Sequence, residues 1–123
     1  MHKIQTANAP AAIGPYAQAI VHKGLIYTSG QIPINPATGN IEATDIAGQT
    51  EQIMKNLQAV LEAAGSSLNR VIKTTCFLHD INDFAAFNEV YARYITETPA
   101  RSCVGNLNLP KGVLAEVEVI AAE

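Results

Sequence analysis

A single arginine near the carboxyl end of the chain is the first candidate for chemistry. Arg101 lies in the sequence Pro-Ala-Arg-Ser-Cys-Val of residues 99–104, where small and apolar residues surround one charge at the start of a predicted strand. A guanidinium in this setting either pairs with a carboxylate of the same surface or offers a planar fork to the carboxylate of a ligand. The sequence leaves both interpretations open.

Two glutamates on the last predicted strand are the second candidate. Glu116 and Glu118 alternate with Val117 and Val119, so they share one face of that strand and lie roughly 7 Å apart. Paired carboxylates at such a distance suit acid–base chemistry. A solvated strand face explains the same pattern more simply, although burial of this face in an oligomer would weaken that explanation.

Other nucleophilic and cofactor chemistries lack the spacing that they require. Ser29 offers a hydroxyl and loop amides within residues 28–31, but no G-x-S-x-G elbow of a serine hydrolase surrounds it. No P-loop and no G-x-G-x-x-G motif is present, so no nucleotide cofactor is expected. Three histidines have no matching Asp, Ser or Cys spacing and are interpreted as structural or exposed, namely His2, His22 and His79.

The cysteines indicate the cellular compartment of the protein, and the charged residues indicate which kinds of partner it can bind. Cys76 and Cys103 form no C-x-x-C or Cys/His cluster, so we expect two free thiols in a reducing compartment rather than a zinc site. Residues Met1–Ala12 lack the continuous apolar run of a signal peptide, and these features predict a cytoplasmic protein. The 8 Lys and Arg residues are scattered and outnumbered by 11 Asp and Glu, which argues against nucleic acid and acidic membranes as partners.

Turn residues divide the chain into short elements that fit one domain over residues 1–123. Lys23-Gly24, between two apolar runs, predicts a hairpin. Asp45 and Gly65 are the N-cap and the stop of the clearest helix, and Asn82 or Asp83 caps a second one. The predicted strands are 16–22, 25–29, 71–78, 102–106 and 113–121, and the predicted helices are 45–64 and 84–95.

Both predicted helices carry apolar residues at three- and four-residue steps, which gives each helix one buried face. Two helices cover only one face of the sheet, yet residues 25–27 and 76–78 are consecutive apolar residues, so both faces of those strands require burial. A symmetric oligomer that closes the open faces is therefore expected. The predicted apolar stripes are Ile46, Ile53, Leu57, Val60, Leu61 and Ala64 in the first helix, and Phe84, Phe87, Tyr91 and Tyr94 in the second.

Several separated segments, in register over essentially the whole chain, resemble one known family. Their order and spacing are similar to those of the Rid (YjgF) family, specifically its RidA type. The resemblance implies an α+β, chorismate-mutase-like fold, with a mixed sheet of about five to six strands and two helices on one face. It also implies a homotrimer with pockets at the subunit interfaces. The segments are Ala9–Tyr16, Thr28–Pro33, Asn82–Tyr91, Pro99–Val104 and Leu109-Pro110 followed by Glu116-Val117-Glu118.

The resemblance implies an activity and a set of site residues. RidA-type proteins are 2-iminobutanoate/2-iminopropanoate deaminases, which hydrolyse reactive 2-imino acids to 2-oxo acids and ammonia and so limit metabolite damage. By position, Arg101 would hold the substrate carboxylate, main-chain groups of Cys103 would contact the imine end, and Glu116 would position the attacking water. No metal or organic cofactor is implied. The other residues in or around the pocket would be Tyr16, Ser29, Gly30 and Asn88.

Two other functions are compatible with the same fold. A trimer of this kind could bind a small carboxylate without turning it over, although such a binder has no use for Glu116. A chaperone-like or translation-inhibiting interaction protein is the second. The chain departs from the RidA pattern in a shorter connection over residues 95–100 and a more polar stretch over residues 105–108, which bear on substrate preference more than on reaction type.

Overall fold

The computed structural model describes residues 1–123 and contains two helices packed on a six-stranded sheet. The strands follow the order β1-β2-β3-β6-β4-β5 across the sheet. This is the α+β fold expected from the sequence. The strands are β1 (His2–Ile4), β2 (Ala19–His22), β3 (Leu25–Thr28), β4 (Val71–Leu78), β5 (Ala100–Val104) and β6 (Ala115–Ala122), and the helices are α1 (Ile46–Ala63) and α2 (Phe84–Tyr94).

The sheet is mixed because one connection is a crossover. Strands β4 and β5 run parallel, whereas the other neighbouring strands run antiparallel. Parallel neighbours cannot be joined by a hairpin, and α2 supplies the crossover between them. After this crossover β5 lies at the edge of the sheet, with α2 beside it. Residues of α2 therefore surround Arg101 on β5.

Helix α1 begins and ends where the sequence predicts. Asp45 is its N-cap, and the Oδ1 of Asp45 accepts a hydrogen bond of 2.9 Å from the main-chain N–H of Gly48. Gly65 follows the last turn with a φ of +80°, a left-handed conformation that costs glycine little. The buried residues of α1 include most of the predicted stripe, namely Ile46, Ile53, Leu57, Val60 and Leu61.

The predicted hairpin is also confirmed. Strands β2 and β3 pair with His22 opposite Leu25, so Lys23 and Gly24 form the two-residue turn. Both turn residues have positive φ, 51° and 80°. A two-residue turn of this kind matches the right-handed twist of its strands, which explains why a Lys-Gly pair is compatible with it.

The beginning of the chain differs from the prediction. The sequence does not predict strand β1, because only Ile4 of its three residues is buried and no alternation of apolar and polar residues marks the strand. The strand predicted from residue 16 begins at Ala19. Before it, the buried side chain of Gln18 bonds to main-chain groups of Thr6, Ala9 and Pro10 and thereby holds the N-terminal loop.

Strand β5 is shifted by two residues from its predicted position. It covers Ala100–Val104 rather than 102–106, because the chain leaves the sheet at Gly105. A Cβ built on Gly105 would lie 2.6 Å from the Cβ of Ile81, so the backbone comes too close to Ile81 for any side chain. Asn106 follows with a φ of 60°, which is incompatible with an extended strand.

The two faces of the sheet differ in burial. Residues on the helix side of β6 are buried in the core, namely Ala115, Val117, Val119 and Ala121. The other face is open, and Tyr27 and Val104 on it are 41% and 46% exposed. Covering of this apolar open face by other copies of the chain stays a prediction. Neither α1 nor α2 combines the length and the apolar character that a membrane-spanning helix needs.

Candidate active site

Arg101 and Cys103 lie on the helix side of the edge strand β5. In the parallel register, Arg101 is beside Thr74 and Cys103 is beside Cys76. Thr74 and Cys76 are fully buried, and side chains of adjacent residues in neighbouring strands share one face of a sheet. The guanidinium is therefore directed towards α2 rather than towards the open face.

Three residues of α2 surround the guanidinium of Arg101. The Oδ1 of Asn88 accepts a hydrogen bond of 2.7 Å from Nη1. The Cζ atom lies 5.3 Å from the ring centroid of Phe84 and 4.9 Å from that of Tyr91, distances typical of cation–π contacts. These residues are spaced i, i+4 and i+7, so they lie on one face of the helix.

No carboxylate of the chain pairs with Arg101. The one ion pair in the structure joins the exposed side chains of Arg93 and Glu89 at 3.3 Å. The interpretation of Arg101 as half of a surface ion pair is therefore wrong within a single chain. Its half-buried positive charge is satisfied by an amide oxygen and two ring faces, which leaves it able to bind an anion.

The contact with Arg101 corrects one prediction about α2. The sequence predicts that Phe84 belongs to the buried stripe, but Phe84 is 38% exposed. Its ring lies near the Arg101 guanidinium instead of entering the core, where Phe87 is fully buried. The spacing of Phe84, Asn88 and Tyr91 was visible in the sequence, but the element that they face was not.

Neither cysteine has the properties of a nucleophile. Burial raises the pKa of the Cys76 thiol to about 12. Burial also raises the pKa of the Cys103 thiol, and the charge of Arg101 opposes that rise only in part. Both thiols therefore stay protonated near neutral pH, whereas a reactive cysteine requires the thiolate. Both are free, and Cys103 lies on the edge strand β5.

Glu116 lies on the open face of the sheet and packs directly on Gly30. A Cβ added to Gly30 would overlap Oε2 of Glu116 and lie 2.9 Å from its Cδ. The loop holding Gly30 is fixed to β6 by two hydrogen bonds between Gln31 and Val117, of 2.8 and 3.1 Å. Glycine is thus the residue that lets this carboxyl group lie against the loop.

The two glutamates of β6 have different environments. They share the open face, as predicted, because Glu116 is opposite Phe77 and Glu118 is opposite Thr75. Glu116 is half-buried and Glu118 is exposed. Burial raises the pKa of the Glu116 carboxyl, and the neighbouring Glu118 carboxylate raises it further. The solvated-face interpretation therefore holds for Glu118 and fails for Glu116, whose pKa moves towards that of a useful proton acceptor.

Ser29 and Tyr16 lie near Gly30 in different roles. The Ser29 hydroxyl donates a hydrogen bond of 2.6 Å to the carbonyl of Ala17, so its proton is engaged within the chain. The ring of Tyr16 is half-exposed. Tyr16 and Gly30 both border a small cavity of about 40 Å³. A larger cleft of about 980 Å³ follows the N-terminal segment and shares only Tyr16 with the predicted site.

The predicted site residues therefore form two groups, and a single chain does not bring them together. We call them the arginine half-site (Arg101, Asn88 and Cys103) and the glutamate half-site (Tyr16, Ser29, Gly30 and Glu116). Strand β4 separates β5 from β6, which places their main chains about 10 Å apart. Arg101 and Glu116 also lie on opposite faces of the sheet. No group of three or more His, Cys, Asp or Glu side chains that could hold a metal ion is present.

Comparison with known proteins shows which family the chain belongs to. The family model described as endoribonuclease L-PSP matches residues 6–123. The chain belongs to this family, the Rid (YjgF) family. The Rid family resemblance of the sequence is thereby confirmed.

Some relatives of this Rid protein are named for an activity, and others only for a family. It is 50% identical over 122 residues to the 2-iminobutanoate/2-iminopropanoate deaminase of Escherichia coli K12, covering 96% of this chain and 94% of that protein. It is 56% identical over 119 residues to a RutC family protein of Pyrococcus horikoshii, covering 96% of this chain and 94% of that protein. The name of that relative gives no activity. Among solved structures, E. coli TdcF with bound serine matches with a TM-score of 0.94 at 44% identity, over 100% of this chain and 99% of that chain.

Proposed function

We propose that this Rid protein hydrolyses 2-imino acids, with 2-iminobutanoate and 2-iminopropanoate as substrates, to 2-oxo acids and ammonia. The observation that carries the proposal is the guanidinium of Arg101, which is held by α2 without a carboxylate partner. The half-buried Glu116 supplies a proton acceptor. The name of the E. coli relative supports the choice of imine hydrolysis.

Arg101 binds the carboxylate of the substrate in this proposal. A planar guanidinium makes two parallel hydrogen bonds to a carboxylate, which fixes both the position and the orientation of the substrate. Cys103, two residues further along the same edge strand, contacts the imine end through its main chain. The reacting carbon is thereby held in one place, which supplies much of what an intrinsically easy hydrolysis needs.

Glu116 manages water and protons. Its carboxylate takes a proton from the water while the oxygen attacks the imine carbon. That proton passes to nitrogen and gives a carbinolamine. The proton of its hydroxyl group then passes to nitrogen through the same carboxylate, the carbon–nitrogen bond breaks, and ammonia and the 2-oxo acid result. One imine and one water thus give one ketone and one ammonia, with no oxidant or cofactor. A positioned acid–base group contributes typically 10²–10⁴-fold to such a rate.

The active site is shared between subunits in this proposal. The arginine and glutamate half-sites lie on opposite faces of the sheet, so the arginine half-site of one copy meets the glutamate half-site of the next. A head-to-tail contact gives a closed ring when its rotation closes, and the family resemblance implies the closed form, a homotrimer. Light scattering should give about three times the chain mass of 13.1 kDa. A monomer that persists over a wide concentration range would contradict the shared site.

A coupled assay tests the proposed reaction. A threonine dehydratase generates the imine, and semicarbazide traps the imine that survives. Adding the wild-type protein should lower the amount of trapped imine, and Arg101→Lys should not, because an ammonium cannot reproduce the planar two-point contact. Undiminished trapping in the presence of the wild-type protein would refute the proposed function.

Binding of a small carboxylate without turnover is the second candidate. The relative TdcF, whose structure contains bound serine, favours it, because serine carries a carboxylate and no imine. The same trapping assay separates the two functions. A protein that binds 2-oxobutanoate in calorimetry but leaves the trapped imine unchanged would be a binder only.

A further inference from the structure

Thr74, which has no part in the proposed reaction, is connected to Arg101 through Tyr91. Thr74 and Arg101 are neighbours across β4 and β5, and both face α2. The ring of Tyr91 lies near the Arg101 guanidinium, with 4.9 Å between its centroid and Cζ. The Tyr91 hydroxyl is within 2.7 Å of the Thr74 hydroxyl in a buried hydrogen bond. Tyr91 therefore connects the core strand β4 to the guanidinium on the edge strand β5.

The hydrogen bond to Thr74 fixes where the Tyr91 ring lies. Thr74 is fully buried and Tyr91 is 8% exposed, so the hydrogen bond between their hydroxyl groups is shielded from water. The Cys76 thiol adds a weaker contact of 3.8 Å to the Thr74 hydroxyl. The Tyr91 ring also packs in the core against Phe87, with 5.6 Å between ring centroids. A tyrosine held at its tip and along its side has little rotational freedom.

We propose that Tyr91 is a positioning residue for Arg101. Anchored by Thr74, its ring holds the guanidinium plane in the orientation that meets the carboxylate of a 2-imino or 2-oxo acid. The inference rests on the proposed function, in which Arg101 binds that carboxylate. Phe84 and Asn88 complete the clamp, since Asn88 accepts from Nη1 at 2.7 Å and Phe84 adds a second ring at 5.3 Å.

The physical benefit of the clamp is preorganisation. A free arginine side chain populates many rotamers, and ordering them when a ligand binds weakens affinity. On an edge strand, with a neighbouring strand on one side only, β-sheet packing alone does not restrict the Arg101 side chain. The Tyr91 ring does so before the ligand arrives, so the fork is in place when the carboxylate binds.

Affinity for 2-oxobutanoate, measured by calorimetry, tests the role of the ring. Tyr91→Leu removes the ring, and we expect affinity to fall about 2- to 12-fold, the range that corresponds to ordering one rotamer-rich side chain on binding. In the coupled assay KM should rise more than kcat falls, because the interaction lost is with the carboxylate rather than with the reacting carbon. Tyr94→Leu is the matched control, since Tyr94 lies on the same helix but bonds to Glu51 at 3.0 Å.

Variants of the buried hydrogen bond test the anchor. Tyr91→Phe and Thr74→Val each remove one partner of this buried hydrogen bond and should lower the melting temperature, whereas the double variant removes both hydroxyls and should regain stability. If the anchor positions the ring, affinity for 2-oxobutanoate stays reduced in the double variant. Recovery of affinity together with stability would reduce Thr74 to a structural role and overturn this part of the proposal.

A readout on Arg101 itself keeps the inference separate from the proposed function. The chain has three arginines, Arg70, Arg93 and Arg101, so the Arg101 side-chain NMR signal can be assigned with Arg101→Lys. Tyr91→Leu should raise the nanosecond mobility of the Arg101 side chain in relaxation measurements and leave that of the other two arginines unchanged, whereas loss of the ring current changes only the chemical shift. Unchanged mobility together with wild-type 2-oxobutanoate affinity would overturn the inference. If the wild-type protein itself binds no 2-oxo acid, the proposed function fails, while the mobility of Arg101 still decides whether Tyr91 restrains the guanidinium.

Discussion

The carboxyl group of Glu116 lies against the backbone of Gly30, in space that any side chain at position 30 would occupy. A Cβ there would overlap Oε2 and lie 2.9 Å from Cδ. The atoms displaced belong to the flexible end of a glutamate, so the overlap can be relieved by rotating the carboxyl group. The fold would survive such a rotation, whereas the position of the proposed proton acceptor would not.

Gly30→Ala is therefore expected to lower kcat with little loss of stability. A misplacement of about 1 Å near the reacting atoms can reduce a rate roughly 10²-fold. Gly105→Ala is an instructive contrast, because its Cβ would lie 2.6 Å from the Cβ and 2.9 Å from the backbone Cα of Ile81. That variant should lose stability first. Thermal unfolding and the trapping assay on both variants check this, and a fully active Gly30→Ala protein would show that the Glu116 carboxyl position is not important.

Glu116→Gln tests the proton acceptor directly. The amide keeps the size of the side chain and removes the basic oxygen, so turnover should fall roughly 10²–10⁴-fold while 2-oxobutanoate affinity changes little. Glu118→Gln is the matched control and should retain most of the activity. An inactive Glu118→Gln protein with an active Glu116→Gln protein would move the role to Glu118.

Glu118→Gln should also shift the pH dependence of kcat/KM. The Glu118 carboxylate is one cause of the raised pKa of Glu116, so its removal lowers that pKa. A base is active when deprotonated, and activity is lost as pH falls through its pKa. In Glu118→Gln the acidic limb of the kcat/KM profile should therefore move to lower pH. A limb that stays in place would mean that another group controls it.

The raised pKa of Glu116 should also make the stability of the folded chain depend on pH. Its pKa is raised in the folded chain above the ordinary value of 4.5. The stability contributed by the neutral carboxyl is therefore fully present below the unfolded-state pKa and is lost as pH rises through the folded-state pKa. Glu116→Gln cannot ionise, so its gain in Tm over the wild type should be larger at pH 7 than at about pH 3.5. Equal differences in Tm at both pH values would contradict this.

The sequence singles out the candidate residues, but it does not predict how they are arranged. Arg101 and Glu116 could be singled out because their charges stand among apolar and small residues. The clamp around Arg101 could not, since it depends on how α2 is rotated over β5, and the apolar spacing that includes Phe84 equally suits a core stripe. The separation of Arg101 from Glu116 follows from the position of β4 between β5 and β6, which depends on long-range pairings that no local pattern specifies. The same holds for β5, whose end is set by the contact of Gly105 with Ile81.

The central claim is that one active site takes Arg101 from one subunit and Glu116 from another. Mixing Arg101→Ala and Glu116→Gln chains, each inactive alone, tests it after joint refolding into mixed oligomers. With random assembly of equal amounts, half of the sites receive an intact arginine and half of those an intact glutamate. About one quarter of the wild-type activity should therefore return. Mixed oligomers that form but stay inactive would contradict the account, because they would place both residues of each active site in one chain.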